Sequence, residues 1–278
     1  MSPQQYCQAK AAASGSSFYY SFLFLPKPRR EAITALYAFC REVDDIADEC
    51  HDINIARTKL AWWRTEIVNL YANTPQHPVT KALASPIRDY DLNAEHFQEI
   101  IDGMEMDLEQ NRYAEFKHLQ LYCYRVASVV GLLSASIFGF SDQKTLKYAH
   151  DLGLAFQLTN IIRDVGEDAR RDRIYLPLDE LAQFGVSEND ILQGHESEQV
   201  RKLLEFQIER AETYYDRAFN ELPGEDRKAQ RTGLIMAAIY RTLLREIKAD
   251  GAQKVLNAHT SLPPLRKLWL AWTTWLRN

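Results

Sequence analysis

Two acidic stretches carry residue types and spacings from which chemistry can be built. In the first, Arg41-Glu42-Val43-Asp44-Asp45-Ile46-Ala47-Asp48, Asp44 and Asp48 stand four apart. On a helix that spacing stacks both carboxylates on one face, about 6 Å apart along the axis. Like charges so placed repel weakly when exposed and become favourable once a cation sits between them. In the second stretch, Gln157 to Asp168, the residues Asn160, Asp164 and Asp168 recur at four. That is one stripe of three oxygen donors. It begins in a helix otherwise rich in apolar residues, among them Leu152, Leu154, Phe156, Ile161 and Ile162. Unpaired buried carboxylates are costly, so the stripe must face water, a metal or a ligand.

The chemistry that suits both spacings is magnesium-bridged binding of a diphosphate. Mg²⁺ is a hard octahedral ion that takes one or two carboxylates and completes its shell with water and phosphate oxygens. Two facing Asp pairs can hold several such ions. Arg41 and Arg163, each beside an Asp pair, can neutralise the remaining phosphate charge. A lone D-x-x-x-D is most often a solvated acidic helix face. Two of them, each with a nearby Arg and one with an in-register Asn, favour the shared site.

The elements that must position these residues are helices. From Arg29 to Glu49 apolar residues recur at three and four, and Pro26 and Pro28 stand where a helix begins. The same period predicts helices over 55–71, over 93–109 with Asn93 as N-cap, and over 197–220, 226–250 and 265–277. The stretches 119–140 and 142–168 are apolar on most faces and read as central buried helices. Residues 170–177 lose the helical period and read as an ordered loop. Leu178 to Phe184 reads as a short helix, and Ser187 to Asp190 as a capping box. Convincing strand alternation, G-x-G-x-x-G and G-x-x-x-x-G-K-[ST] are absent from the sequence, which disfavours Rossmann and P-loop sites. The expected architecture is all-α, one domain over residues 1–278, with helices around a central space.

Composition narrows the class. The 278 residues carry a net charge of −5, with 46% hydrophobic and 26% charged residues, as in an ordinary globular protein. That mild acidity argues against nucleic acid as a partner. The cysteines, Cys7, Cys40, Cys50 and Cys123, show no zinc spacing and read as reduced thiols in or near the core. No secretory signal opens the chain. The uncharged runs 11–26 and 126–141 are shorter than a spanning helix needs. The expected location is the cytoplasm.

The sequence resembles the squalene/phytoene synthase family. The resemblance rests on Asp44-Asp45-Ile46-Ala47-Asp48, the stripe Asn160, Asp164 and Asp168, Tyr122-Cys123-Tyr124-Arg125-Val126-Ala127, and Arg173-Ile174-Tyr175-Leu176-Pro177, in the family's order. The opening Ser14 to Phe22, followed by Arg41-Glu42-Val43-Asp44-Asp45, is most similar to the bacterial hopanoid-pathway branch, which makes presqualene diphosphate. The resemblance implies an isoprenoid-synthase helical bundle that binds isoprenyl diphosphates in a central cavity. It implies two or three Mg²⁺ ions with substrate, held by Asp44, Asp48, Asn160, Asp164 and Asp168. It implies diphosphate contacts for Ser17, Arg41 and Arg163, with Tyr37, Tyr240 and Lys267 aligned less closely, and places Tyr122 at the reaction centre. Gln157 belongs to the same substrate-binding set. Phe18, Phe22 and Tyr122 are aromatic candidates for stabilising a carbocation. Val126, Ala127, Val130, Gly131 and Ser134 form a mostly small helix face, which leaves room for an isoprenoid tail or serves tight packing.

The expected reaction joins two farnesyl diphosphates head to head and stops at presqualene diphosphate, with no NADPH. Its alternatives are phytoene formation from geranylgeranyl diphosphate, and squalene or dehydrosqualene formation. The tail Leu265 to Arg277 is aromatic and basic, and Trp269, Trp272 and Trp275 share a broad face at a spacing of three. It reads either as a helix packed on the domain or as one lying on the inner membrane surface. A downstream enzyme of the same pathway is a further candidate partner. Two other classes compete. A di-iron bundle needs two Glu-x-x-His motifs, and only Glu115 to His118 provides one. A non-catalytic scaffold would keep the fold without needing the acidic side chains.

Overall fold

The structure is a computed structural model and describes residues 1–13, 21–22, 24–50 and 52–278. Ser17 and Phe18 therefore lie outside the described residues. Among these the chain is helical, and its one extended pairing is an isolated bridge between Arg112 and Ile174. The elements are α1 (Pro3–Ala13), α2 (Lys27–Glu49), α3 (Ile53–Tyr71), α4 (Pro78–Leu83), α5 (Pro86–Asp89) and α6 (Ala94–Glu109). Next come α7 (Phe116–Cys123), a π turn (Tyr124–Ser128), α8 (Val129–Phe138) and α9 (Lys144–Ala169). The chain continues through α10 (Leu178–Gln183), α11 (Glu188–Leu192), α12 (Glu198–Glu221), α13 (Arg231–Asp250) and α14 (Pro264–Arg277).

Local chemistry sets the helix starts. Pro28 occupies the first turn of α2, where its missing N–H costs nothing. Asp52 accepts from the amides of Asn54 and Ile55 and caps α3. Asn93 accepts from Glu95 N and caps α6, as its position predicts. Ser187 and Asp190 form the expected capping box of α11. Residues 170–177 are irregular, with Asp172 at a φ of 57°.

Two apolar clusters form the core. One gathers side chains of α1–α4, α6 and α8 around Leu36, Phe39, Leu60 and Phe97, each fully buried. Each such side chain contributes about 2 kcal/mol relative to exposure. The other cluster gathers α9, α12 and α13 around Leu154, Leu204 and Leu244. α9 runs along α12 on one side and meets α8 and the π turn on the other. Val126 packs against both clusters, and the space between them is the cavity described below.

The apolar stretch expected over 119–140 is helical over Phe116–Phe138, interrupted by the π turn. Its 23 residues, with a mean hydropathy of 1.5 over the most apolar 18, reach the length and composition of a spanning helix. Here it is a core element: Leu119, Cys123, Val129, Leu133 and Ile137 are buried against neighbouring helices, and Arg125 pairs with Glu99 at 3.0 Å. The extra residue of a π turn shifts the register of the faces that follow it. Tyr122 before the turn, Val126 and Ala127 within it, and Val130 and Gly131 after it all line one cavity. The four cysteines are free thiols.

Candidate active site

A cavity of about 680 Å³ opens between the two clusters. Arg41, Asp44 and Asp48 reach it from α2, and Gln157, Asn160, Arg163, Asp164 and Asp168 from α9. The two acidic stretches, more than a hundred residues apart in sequence, thus share one wall space. Phe22, Tyr37, Tyr122, Val126, Ala127 and Gly131 line it as well, as do Tyr240 from α13 and Lys267 from α14. Every site residue expected from the sequence that falls among the described residues lies on this cavity.

The acidic end is crowded and partly neutralised. Arg41 pairs with Asp44 at 2.5 Å and also with Asp45, while Lys10 holds Asp45 from α1 at 2.7 Å. Asp48 is met by Arg173 at 3.2 Å and Arg171 at 3.4 Å. Burial pushes the Asp44 carboxyl up to about 6 despite Arg41, with Asp48 and Asp107 adding repulsion. On α9, Arg163 grips both oxygens of Asp164, at 2.6 and 2.5 Å, and faces Tyr240. Burial, with Asp164 beside it, pushes Asp168 up to about 7. Burial and the neighbouring Arg163 hold the Lys267 ammonium below the usual lysine range.

The donor set suits a hard divalent cation. Asn160 Nδ2 donates to Gln157 Oε1 at 3.3 Å, but its Oδ1 is buried without a hydrogen-bond partner. An orphaned amide oxygen in register with Asp164 and with Asp168, whose carboxyl burial holds above its usual range, is what such an ion takes up. Ligand atoms of Asp164, Glu167 and His259 also lie within 4.8 Å of one another, and His259 Nδ1 stands 3.1 Å from Glu167. Neither Glu167 nor His259 belongs to a spacing that marked it in the sequence. Glu167 is one residue off the Asn160–Asp168 stripe, and His259 lies in the loop before α14.

Asp107 is the other group without a motif of its own. It lines the cavity from α6, and its two oxygens accept from Tyr122 Oη at 2.8 Å and Tyr175 Oη at 2.7 Å. The rings of Tyr113, Tyr122 and Tyr175 pack together, with centroids 5.2 to 5.8 Å apart. Burial raises Asp107 to about 6, against the two phenols and Arg173, which favour the anion. The signal for it was its place: it continues the apolar stripe of Ile100 and Met104, where a carboxylate needs a reason.

The opposite end is apolar. Several turns from the carboxylates, α2 presents Ile33 and Leu36 and α9 presents Ala149 and Leu152, Phe138 adds its ring, and Phe22 meets Tyr37, one turn before Arg41, edge to face at 6.4 Å. The small face of α8 answers both of its sequence readings. Gly131 and the π turn touch α9 so closely that a Cβ on Gly131 would meet Ala149 O at 2.5 Å, yet Gly131 also lines the cavity. One polar end able to bind anions and metal thus faces one greasy chamber.

Comparison with known proteins agrees with this arrangement. The family model for squalene/phytoene synthase matches residues 11–267. The chain is 35% identical to the 15-cis-phytoene synthase of Synechocystis sp. over 98% of its own length and 84% of the relative's. It is also 35% identical to a phytoene synthase of Arthrospira platensis, over 94% and 89%. Among solved structures it superposes on the squalene synthase HpnC of Alicyclobacillus acidocaldarius with a TM-score of 0.81, at 27% identity over 90% of this chain and 94% of that one. A dehydrosqualene synthase solved with a ligand gives 0.86, at 27% identity over 98% and 95%. The chain belongs to the squalene/phytoene synthase family, prenyltransferase-type enzymes of isoprenoid synthesis.

Proposed function

We propose that the chain condenses two farnesyl diphosphates head to head and releases presqualene diphosphate and one diphosphate. The observation that carries this reading is the single cavity with both acidic motifs at one end and aromatic and aliphatic walls at the other. Asp44 and Asp48 on one side, and Asn160, Asp164 and Asp168 on the other, would hold Mg²⁺. When bound, that ion supplies positive charge where the leaving diphosphate develops its negative charge. Arg41 and Arg163 bind the same oxygens, with Lys267, Tyr37 and Tyr240 within the cavity to orient them.

The chemistry then follows from charge. The C1–O bond of one substrate breaks and its electron pair leaves with the diphosphate. The double bond of the second substrate attacks the allylic cation, and loss of one proton closes the cyclopropane. The walls must exclude water, which would trap the cation. Phe22 and Tyr122 present rings to it. Tyr122 directs its own proton to Asp107, so it offers the cation a ring and oxygen lone pairs.

A second reading is favoured by the 35% identity with phytoene synthases: the same condensation on geranylgeranyl diphosphate. The test is to incubate purified protein with Mg²⁺ and each diphosphate, without NADPH, and to identify products by mass spectrometry. Presqualene diphosphate from farnesyl diphosphate is expected. Turnover of geranylgeranyl but not farnesyl diphosphate would overturn the first reading in favour of the second.

A further inference from the structure

The helix α14 turns its apolar face outward. Leu265, Leu268, Trp269, Trp272 and Leu276 are 40–81% exposed. At about 100° of turn per residue, these five fall within an arc of about 100°. The opposite face is the one that packs. Ala271 is buried in the core and Lys267 reaches the cavity, while Trp275, at the border of the stripe beside Leu268, is half-buried and stacks on Phe24 at 5.7 Å. An amphipathic helix on a globular protein normally does the reverse. Five large apolar side chains on one exposed stripe form a patch that calls for a partner.

The surrounding charge identifies the partner's chemistry. α14 contains Arg266, Lys267 and Arg277 and no carboxylate. Its C-terminal end is ringed by further guanidinium groups. Arg231 lies 5.4 Å over the Trp275 ring, and Arg227 donates to Asn278 Oδ1 at 2.8 Å. Arg266 is already paired with Glu246, so the cationic end is the C-terminal one. Exposed indoles beside leucines, flanked by arginine, match the water–hydrocarbon boundary of a bilayer with acidic headgroups.

We propose that the outer face of α14 seats this protein on the surface of an anionic lipid bilayer. Trp269, Trp272 and the leucines enter the headgroup boundary, and Arg277, Arg231 and Arg227 face the lipid phosphates. The helix then stands between bilayer and cavity, one face on each. Its use in passing on a product with long apolar tails rests on the proposed function, but the contact itself does not.

Vesicle co-sedimentation tests this with the full chain. Phosphatidylcholine vesicles containing phosphatidylglycerol should carry the protein down, pure phosphatidylcholine vesicles much less so, and added salt should weaken the binding. Indole emission should shift to the blue on binding. The triple variant Trp269→Ser, Trp272→Ser, Leu276→Ser should lose about tenfold or more of its partitioning. Its circular dichroism, and its condensation of detergent-dispersed substrate, should match wild type. Arg277→Glu should weaken binding to the anionic vesicles alone. Wild type that stays in the supernatant with both vesicle types would overturn the proposal, as would a triple variant that binds equally well. A self-association abolished by the triple variant, without vesicle binding, would instead make this face a contact between copies. Vesicle binding by a protein that condenses neither diphosphate would sink the proposed function and leave the docking surface standing.

Discussion

At the scale of single residues, the Asp107 carboxylate decides what the Tyr122 hydroxyl can do. Tyr122 donates to one Asp107 oxygen and Tyr175 to the other. A phenol held at both ring and proton is fixed before any substrate arrives, which is where electrostatic stabilisation draws its strength. Asp107→Asn keeps the shape but replaces one accepting oxygen with a donor, so one phenol loses its partner. We expect kcat to fall about 100-fold with KM within about threefold, because neither residue is placed on the diphosphate. Tyr122→Phe should lose a similar amount. The double variant should lose little more than the worse single one, since the two side chains act as a unit. Steady-state kinetics on the four proteins checks this, and additive losses would mean that Asp107 serves something other than Tyr122.

At the scale of elements, the site depends on how closely α9 approaches the π turn and α8. A Cβ on Gly153 would stand 2.6 Å from Ala127 O and 2.7 Å from Ser128 Cα, both backbone atoms that cannot step aside. Gly153→Ala should therefore push the two elements apart and cost about 2 kcal/mol. It should also displace Ala127 and Gly131 from the cavity wall. A lowered Tm and weaker substrate binding are expected; an unchanged Tm would mean that the contact is more pliant than its geometry. This contact also marks the limit of what the sequence made legible. The helix carrying the first acidic motif was visible because a period of three and four repeats over many turns, and the one carrying the second because a long stretch is apolar on most faces. The π turn was not, since one extra backbone residue leaves no mark on side-chain type. α1 and α4 were also missed: α1 buries only Cys7 and Ala11, and α4 has only six residues, too few to show a period. The tryptophans of α14 were visible as a set but not as two faces. Each step of three residues drifts about 60° around a helix, so Trp275 ends about 120° from Trp269, half-buried at the border of the stripe. His259 came from position in space, which spacing along a chain does not encode, whereas Asp107 carried one signal, a carboxylate in register with Ile100 and Met104.

At the scale of the whole molecule, the site is a standing cost to the fold. Asp44 and Asp107 are raised to about 6 and Asp168 to about 7, chiefly by burial. The ordinary carboxylate value is near 4, so the folded chain binds more protons than the unfolded chain between about pH 4 and 7. Stability in the absence of divalent cation should therefore rise as pH falls from 8 towards 5. The gain is about 1 kcal/mol for each of the more enclosed groups after solvent screening, or about 3 °C in Tm. Glu66 and Asp226 lie outside this window, because the hydrogen bonds their carboxylates accept outweigh burial and hold them below the ordinary range. A divalent cation acts on the same carboxylates by the opposite route. It needs them ionised, so Mg²⁺ with inorganic diphosphate should raise Tm more at pH 8 than at pH 5.5, and binding near pH 6.5 should release protons. Thermal melts across pH, with and without the two ligands, separate these effects. In Asp168→Asn the acid-side gain and the ligand-induced rise should both shrink, because one side chain supplies part of each. If the acid-side gain survived in full while the ligand effect vanished, the strain would lie at Asp44 and Asp107, and Asp168 would act on the ligand alone.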